Sequence, residues 1–270
     1  MRKILCPTDF SGTADKAIAY AAKLCKKIDA ELTLLNVQSI FSPPIEEVIK
    51  GKYLATEGAR EKLDTQCYQV MQVFKISCVA EVEASNSNLN DIITQRGKEF
   101  DLILMGTNGA DDYYNFFFGS RSYQVAKESS VPVLLIPTEC SYQDISTIVF
   151  AFDYEHEQEF PMAQLIKFTD LLKAKITIMQ VKEHYQREAE VNAKQVEERT
   201  KMLYNLSDIN FDTIFSEDVG NSIHNYVGEI KADALALCSI QHNIIETIFH
   251  KSIIKQLSSI VNYPIFIFHE

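Results

Sequence analysis

The chain has 270 residues, 46% of them hydrophobic, and a formal net charge of -11. That length suits two domains with cores of their own, and no apolar run approaches the roughly 20 residues of a membrane helix. Neither half carries the basic stripe that nucleic acid or an anionic membrane would need, so both are set aside as partners.

The chain opens with a short apolar strand, Lys3–Cys6, and Pro7, Thr8 and Asp9 follow at its C-terminal end. Ligands of open α/β sheets bind outside the carboxyl ends of strands, so Asp9 is placed either to accept hydrogen bonds from a ligand or to cap a turn. Ser11 or Thr13 can cap the next helix, which sets Ala14, Ala17, Ile18, Ala21, Leu24, Cys25 and Ile28 on one face. A second strand is expected at Leu32–Val37. Ser42, Pro43 and Pro44 break regularity before a long charged helical region from Glu46 to Val73, which Gly51 and Gly58 weaken and invite to split. Ile76–Val82 reads as a third strand, and Asn86 to Asn90 as a capping loop before a helix through Ile92 and Ile93.

The stretch Asp101–Pro137 carries the chemistry. Leu102–Met105 is an unbroken apolar run of the kind a fully buried parallel strand needs. From Gly106 the glycines fall as G-x2-G-x9-G-S: Gly106, Gly109, Gly119, Ser120, with a further hydroxyl at Ser122. Glycines there allow a sharp turn and a close backbone approach to a ligand, or simply make a turn. Gly119 and Ser120 open a helix whose free N–H groups suit a phosphate. Arg121 either forks onto phosphate oxygens or points to solvent. Asp111 and Asp112 would repel a bare triphosphate or help to hold its Mg²⁺. The aromatic cluster at Tyr113, Tyr114, Phe116, Phe117 and Phe118 reads as a lid or as a partner-facing patch. Val131–Ile136 closes the unit as a strand.

With its opening ILCPTDFSGTADKAIAYA and this glycine spacing, the chain resembles the universal stress protein family, many of whose members bind ATP. The resemblance implies two tandem Rossmann-like α/β domains, each an open parallel five-stranded sheet in the order 3-2-1-4-5 with helices on both faces. It also implies an adenosine contact at Asp9, a backbone contact to adenine at Asn36 and Val37, and glycine at the place of Asn86, where asparagine tolerates a left-handed backbone. The implied binding set is Pro7, Thr8, Asp9, Val37, Met105, Gly106, Gly109, Gly119, Ser120, Arg121 and Ser122. Its ligand would be ATP, with or without Mg²⁺.

The second half repeats the first. Ile148–Asp153 follows the pattern of Ile4–Asp9 144 residues on, and Asp233–Cys238 follows Asp101–Gly106 132 residues on. Strands are expected at Ile176–Val181 and Phe211–Phe215, separated by a charged helix, Gln186–Leu206. The domains therefore read as 1–138 and 144–270, with a linker at 139–143. In the second copy Cys238, Gln241 and Lys251 replace Gly106, Gly109 and Gly119, and only Ser252 matches Ser120. Glu155 and His156 fall at Ser11 and Gly12. No nucleotide is expected there.

The six cysteines lie far apart without a C-x-x-C pair, which argues for reduced thiols and a cytoplasmic protein without a disulfide framework. No secretory leader pattern is present. All six histidines lie in the second half without a zinc spacing, and neither a hydrolase elbow nor a Walker A sequence occurs. The leading expectation is an ATP-binding stress protein that senses or stores nucleotide. The alternative is a non-nucleotide interaction or chaperone-like protein, and a slow ATP-hydrolysing enzyme stands third. The protein partner is unidentified. The apolar final strands, Val133–Ile136 and Ile265–Phe268, invite an internal pseudo-dimer of the two halves, with room for a further homodimer.

Overall fold

Apolar runs of four to six residues become the strands of parallel sheets, and the amphipathic segments between them become covering helices. The computed structural model describes residues 2–39, 45–107, 120–152, 161–185, 187–204, 209–239 and 261–269. The described residues fall into two compact units, the first ending at Thr138 and the second starting at Glu139.

The first unit runs β1 (Arg2–Pro7), α1 (Gly12–Ile28), β2 (Ala30–Ser39), α2 (Ile45–Phe74), β3 (Cys78–Ser85), α3 (Leu89–Gly97), β4 (Leu102–Thr107), α4 (Ser120–Glu128) and β5 (Val133–Pro137). Its strands lie in the order β3-β2-β1-β4-β5, all parallel. The chain builds outward from β1 in one direction and then restarts at β4 on the other side. That reversal opens a crevice between the carboxyl ends of β1 and β4. Ile4, Leu5, Cys6, Leu32, Leu34, Leu102, Ile103 and Leu104 are buried in the middle of this sheet, as strands covered on both faces should be. α1 packs on β1, β2 and β4 beside α2, while α3 packs beside α4. The predicted apolar face of α1 is buried throughout, and Ser11 is its N-cap, accepting from the Ala14 N–H.

The second unit runs β6 (Thr147–Ala151), α5 (Met162–Leu172), β7 (Lys175–Lys182), α6 (Arg187–Tyr204), β8 (Asn210–Phe215), α7 (Val219–Glu229), β9 (Ala234–Ser239) and β10 (Ile265–His269). Its order, β8-β7-β6-β9-β10, is the same parallel arrangement. The core here is aromatic: Phe168 stands tilted against Phe266 and edge-on to Phe268, and those two stack on each other. The expected α/β class and strand order are thus present in both units.

Individual hydrogen bonds repeat as well. The Thr8 N–H donates to the Leu35 carbonyl, and 144 residues on the Phe152 N–H donates to Met179. Asp101 donates its N–H to the Lys3 carbonyl while its carboxylate accepts the Lys3 N–H. Asp233 makes the same reciprocal pair with Thr147, and its carboxylate also accepts the Ser146 N–H.

Four expectations need correction. The third strand lies at Cys78–Ser85 rather than Ile76–Val82, because Lys75 adopts a left-handed backbone (φ 59°) and Ile76 and Ser77 complete the turn. β2 also extends to Ser39, and β3 follows it in register from Leu32↔Cys78 to Ser39↔Ser85. The long helix does not split at its glycines: α2 is continuous, and Ala59, Leu63, Cys67 and Val70 on its inner face are buried. Packing of that face outweighs the roughly 1 kcal/mol that a glycine costs a helix. Asn86 is not of positive φ; among the described residues Phe10, Asp29, Lys75, Lys173 and Lys231 are. The capping in that loop falls to Asn88, whose side chain accepts from the Asn90 N–H.

Candidate functional site

The end of β1 is shaped by a short chain of local hydrogen bonds. The Asn36 side-chain amide, buried on β2, donates to the Thr8 carbonyl at 2.8 Å, and Gln38 in turn donates to Asn36. The Thr8 hydroxyl accepts the Phe10 N–H at 3.1 Å, and the Asp9 carboxylate accepts the Ser11 N–H at 3.0 Å. Phe10 is driven into the left-handed region (φ 64°) by this reversal. Asp9 and Ser11 thereby satisfy the start of α1 and fix the rim of the crevice.

Burial works against the charge on Asp9, but hydrogen bonds from the Ser11 hydroxyl and N–H and from its own N–H outweigh it. The positive charge of Arg121 adds to them, and the carboxyl is held below its ordinary range. Asp9 and Arg121, separated by more than a hundred residues of sequence, are therefore electrostatic neighbours. Arg121 is exposed in the first turn of α4, and Ser120 is the first residue of that helix. Ser122 is buried one residue further on.

Across the crevice, Met105 and Gly106 lie within β4, which extends to Thr107. Gly106 has a reason of its own to lack a side chain. A Cβ there would lie 2.9 Å from both the Thr13 Cγ2 and the Thr13 carbonyl oxygen, and 3.4 Å from the Ala17 Cβ. The glycine lets α1 sit directly on β4, and its backbone is not left-handed. To the conformational freedom read from the sequence, the structure adds this packing role. By contrast, a Cβ on Gly12 would meet nothing within 4 Å, so that position is not closed to larger residues. Val37 lies on β2 in register with Glu83, beside the Asn36 that holds Thr8.

Pro7, Thr8, Asp9, Val37, Met105, Gly106, Ser120, Arg121 and Ser122 are described, and they gather at the carboxyl ends of β1, β2 and β4 and the start of α4. Gly109, Gly119, the paired acids Asp111 and Asp112 and the aromatic cluster lie outside the described residues, as do Asp153, Gln241, Lys251 and Ser252 of the second half. Among the described residues, no three His, Cys, Asp or Glu side chains are grouped to hold a metal ion, and no helix is long and apolar enough to cross a membrane.

Sequence reasoning missed several rim residues. Lys16 donates to the Thr138 carbonyl at 2.9 Å, and the Thr138 hydroxyl donates to the Thr107 carbonyl at 2.9 Å, tying α1 and the end of β4 to the residue after β5. Lys62 of α2 stands 5.7 Å from the centre of the Phe10 ring. None of these pairs follows a local spacing, so no pattern could have announced them. In the second unit Cys238 is buried on β9, and Pro161, at the place of Ala17, precedes a helix described from Met162.

Comparison with known proteins agrees with this fold. The profile described as Universal stress protein family matches residues 1–137. A universal stress protein of Methanocaldococcus jannaschii is 30% identical over 157 residues, which is 50% of this chain and 94% of that protein. A putative universal stress protein of Staphylococcus saprophyticus is 26% identical over 163 residues, covering 58% of this chain and 96% of its own. Among solved structures, a universal stress protein from Archaeoglobus fulgidus superposes with a TM-score of 0.71 at 18% identity, covering 99% of this chain and 96% of that one. At that identity the likeness concerns the fold, and it extends over both units.

Proposed function

Since the chain belongs to the universal stress protein family, we propose that its first unit binds ATP at the carboxyl ends of β1 and β4. The observation that carries this reading is the placement of Asp9 at the end of β1 with Arg121, at the start of α4, near enough for its charge to favour the carboxylate. A carboxylate suits the hydroxyl and amino donors of ribose and base. An arginine and the free N–H groups of a helix start suit phosphate oxygens. This donor set fits a nucleotide with its Mg²⁺, which the phosphates would bring with them. The spacing of Gly106, Gly109, Gly119 and Ser120 supports the same ligand. The role we infer is sensing or storing ATP in a stress response, without a catalytic residue. The second unit, with Cys238, Gln241 and Lys251 at the matching places, is assigned no nucleotide.

Calorimetric titration of the full chain with ATP and Mg²⁺ tests both halves of the proposal. One site per chain is expected, and Gly119→Lys should weaken it at least tenfold, about 1.4 kcal/mol. The added charge favours phosphate, but a backbone nest needs contact at hydrogen-bond distance, and the side chain crowds it. Two equivalent sites, no site, or unchanged affinity in Gly119→Lys would overturn the reading.

A further inference from the structure

Four of the six cysteines belong to the first unit and stand on neighbouring elements: Cys6 on β1, Cys25 on α1, Cys67 on α2 and Cys78 on β3. Two of them are in direct contact. The Sγ atoms of Cys67 and Cys78 are 2.9 Å apart.

We propose that Cys67 and Cys78 are a peroxide-sensitive dithiol that closes to a disulfide, fastening the C-terminal part of α2 to β3. The contact follows from how these elements pack. Cys67 continues the buried stripe of Ala59 and Leu63 on the inner face of α2, and Cys78 is the first residue of β3, which α2 covers. Between them the chain reverses through Lys75, whose N–H donates to the Met71 carbonyl and whose backbone is left-handed. Both sulfurs are thus carried by regular elements joined through a short, defined turn. A disulfide needs its sulfurs about 2.05 Å apart, so side-chain rotation with a shift under about 1 Å would close this pair.

The pair is also distinct in reactivity from the thiols around it. The hydrogen bond with Cys78 holds Cys67 below the ordinary thiol range, while burial and Asp64 oppose it and Arg60 assists. The same hydrogen bond, with burial, pushes Cys78 up. Cys6 and Cys25 are fully enclosed, and burial raises both, Cys25 to about 12. They remain thiols. Cys67 is 5% exposed and Cys78 is half-buried at the sheet edge of its unit, so a molecule as small as a peroxide reaches the pair.

The chemistry balances with a peroxide as the two-electron oxidant. The Cys67 thiolate attacks one peroxide oxygen, the O–O bond breaks, and the departing hydroxide takes a proton to leave as water. The Cys78 sulfur then attacks the Cys67 sulfenic sulfur as its own proton goes to the second departing hydroxide. Two thiols and one hydrogen peroxide become one disulfide and two waters.

The test uses the full chain, treated with hydrogen peroxide, alkylated and digested with trypsin for mass spectrometry. Cleavage at Lys75, between the two cysteines, leaves peptides joined through the new bond alone. We expect titratable thiols to fall by two of six, a Cys67–Cys78 linked peptide, and full recovery with dithiothreitol. Cys67→Ser and Cys78→Ser should each abolish the link, and Cys140→Ser should leave it unchanged. An unchanged thiol count in the natural chain would overturn the proposal. So would sulfinic or sulfonic acid on a single cysteine, or a bond involving Cys6, Cys25 or a second chain. The unmodified sequence alone decides the matter, even if a serine variant folds poorly.

Discussion

A Cβ at position 106 has nowhere to go. Its neighbours at 2.9 Å include the Thr13 backbone carbonyl as well as the Thr13 methyl, and a helix carbonyl cannot rotate aside. Gly106→Ala should therefore destabilise the protein by about 1–3 kcal/mol through overpacking. Denaturant unfolding should show the midpoint falling with the slope unchanged, and an unaffected midpoint would mean that α1 can slide on β4. The residue was legible in the sequence as part of a glycine pattern. Its packing role was not, because Thr13 and Ala17 reach it from a helix some ninety positions earlier. Asp9 supports a second expectation. Its carboxyl is held below the unfolded value by Ser11 and Arg121 against the effect of burial, so its contribution to stability is full above the unfolded value of about 3.9. That contribution is lost as pH falls through the lower folded value. Because Asp9 is exposed, solvent screening keeps the effect small. Asp9→Asn should flatten the acid limb of a stability profile measured between about pH 5 and pH 2, and an identical limb in both proteins would refute the linkage.

Among the elements, α2 shows how far periodicity can be trusted. Its charged outer face and two glycines argue for a break, yet its buried stripe keeps it whole over 30 residues. Gly58 is exposed, and a Cβ there would meet nothing within 4 Å. Gly58→Ala should stabilise the protein by about 0.5–1 kcal/mol, through helix propensity and a less disordered unfolded chain. Thermal unfolding measures this directly, and a lower midpoint would show that the glycine serves a contact. Strands were legible because buried parallel strands are continuous apolar runs, as at Leu102–Met105 and Ile148–Phe152. β3 was misplaced by two or three residues because its side chains alternate only weakly; its pairing with β2, not its own composition, sets its ends. Of the site, the crevice at the carboxyl ends of β1 and β4 was readable from Asp9 and Gly106. The rim bonds of Lys16, Asn36 and Thr138 were not, since each joins residues that no local pattern connects.

At the scale of the molecule, the two units share strand order and individual hydrogen bonds but differ in the residues at their carboxyl ends. β5 is apolar from Val133 to Ile136 and occupies an edge of the first unit's own sheet. An apolar edge of this kind invites pairing with another copy of the unit. Residues 1–138 expressed alone should then self-associate in sedimentation experiments. A monomer at high concentration, as stable as the full chain, would sink the idea. Asp101 and Asp233 show what the repetition permits. Each clamps the amino ends of two central strands, β1 to β4 and β6 to β9, at the foot opposite the crevice. Strand register is thus fixed at the end away from the crevice. Each unit is a chassis whose fittings can be exchanged at the mouth while its alignment is guaranteed below. That freedom accounts for one copy keeping its glycines while the other has cysteine, glutamine and lysine, and it marks the second unit's mouth as a place for grafting new specificity.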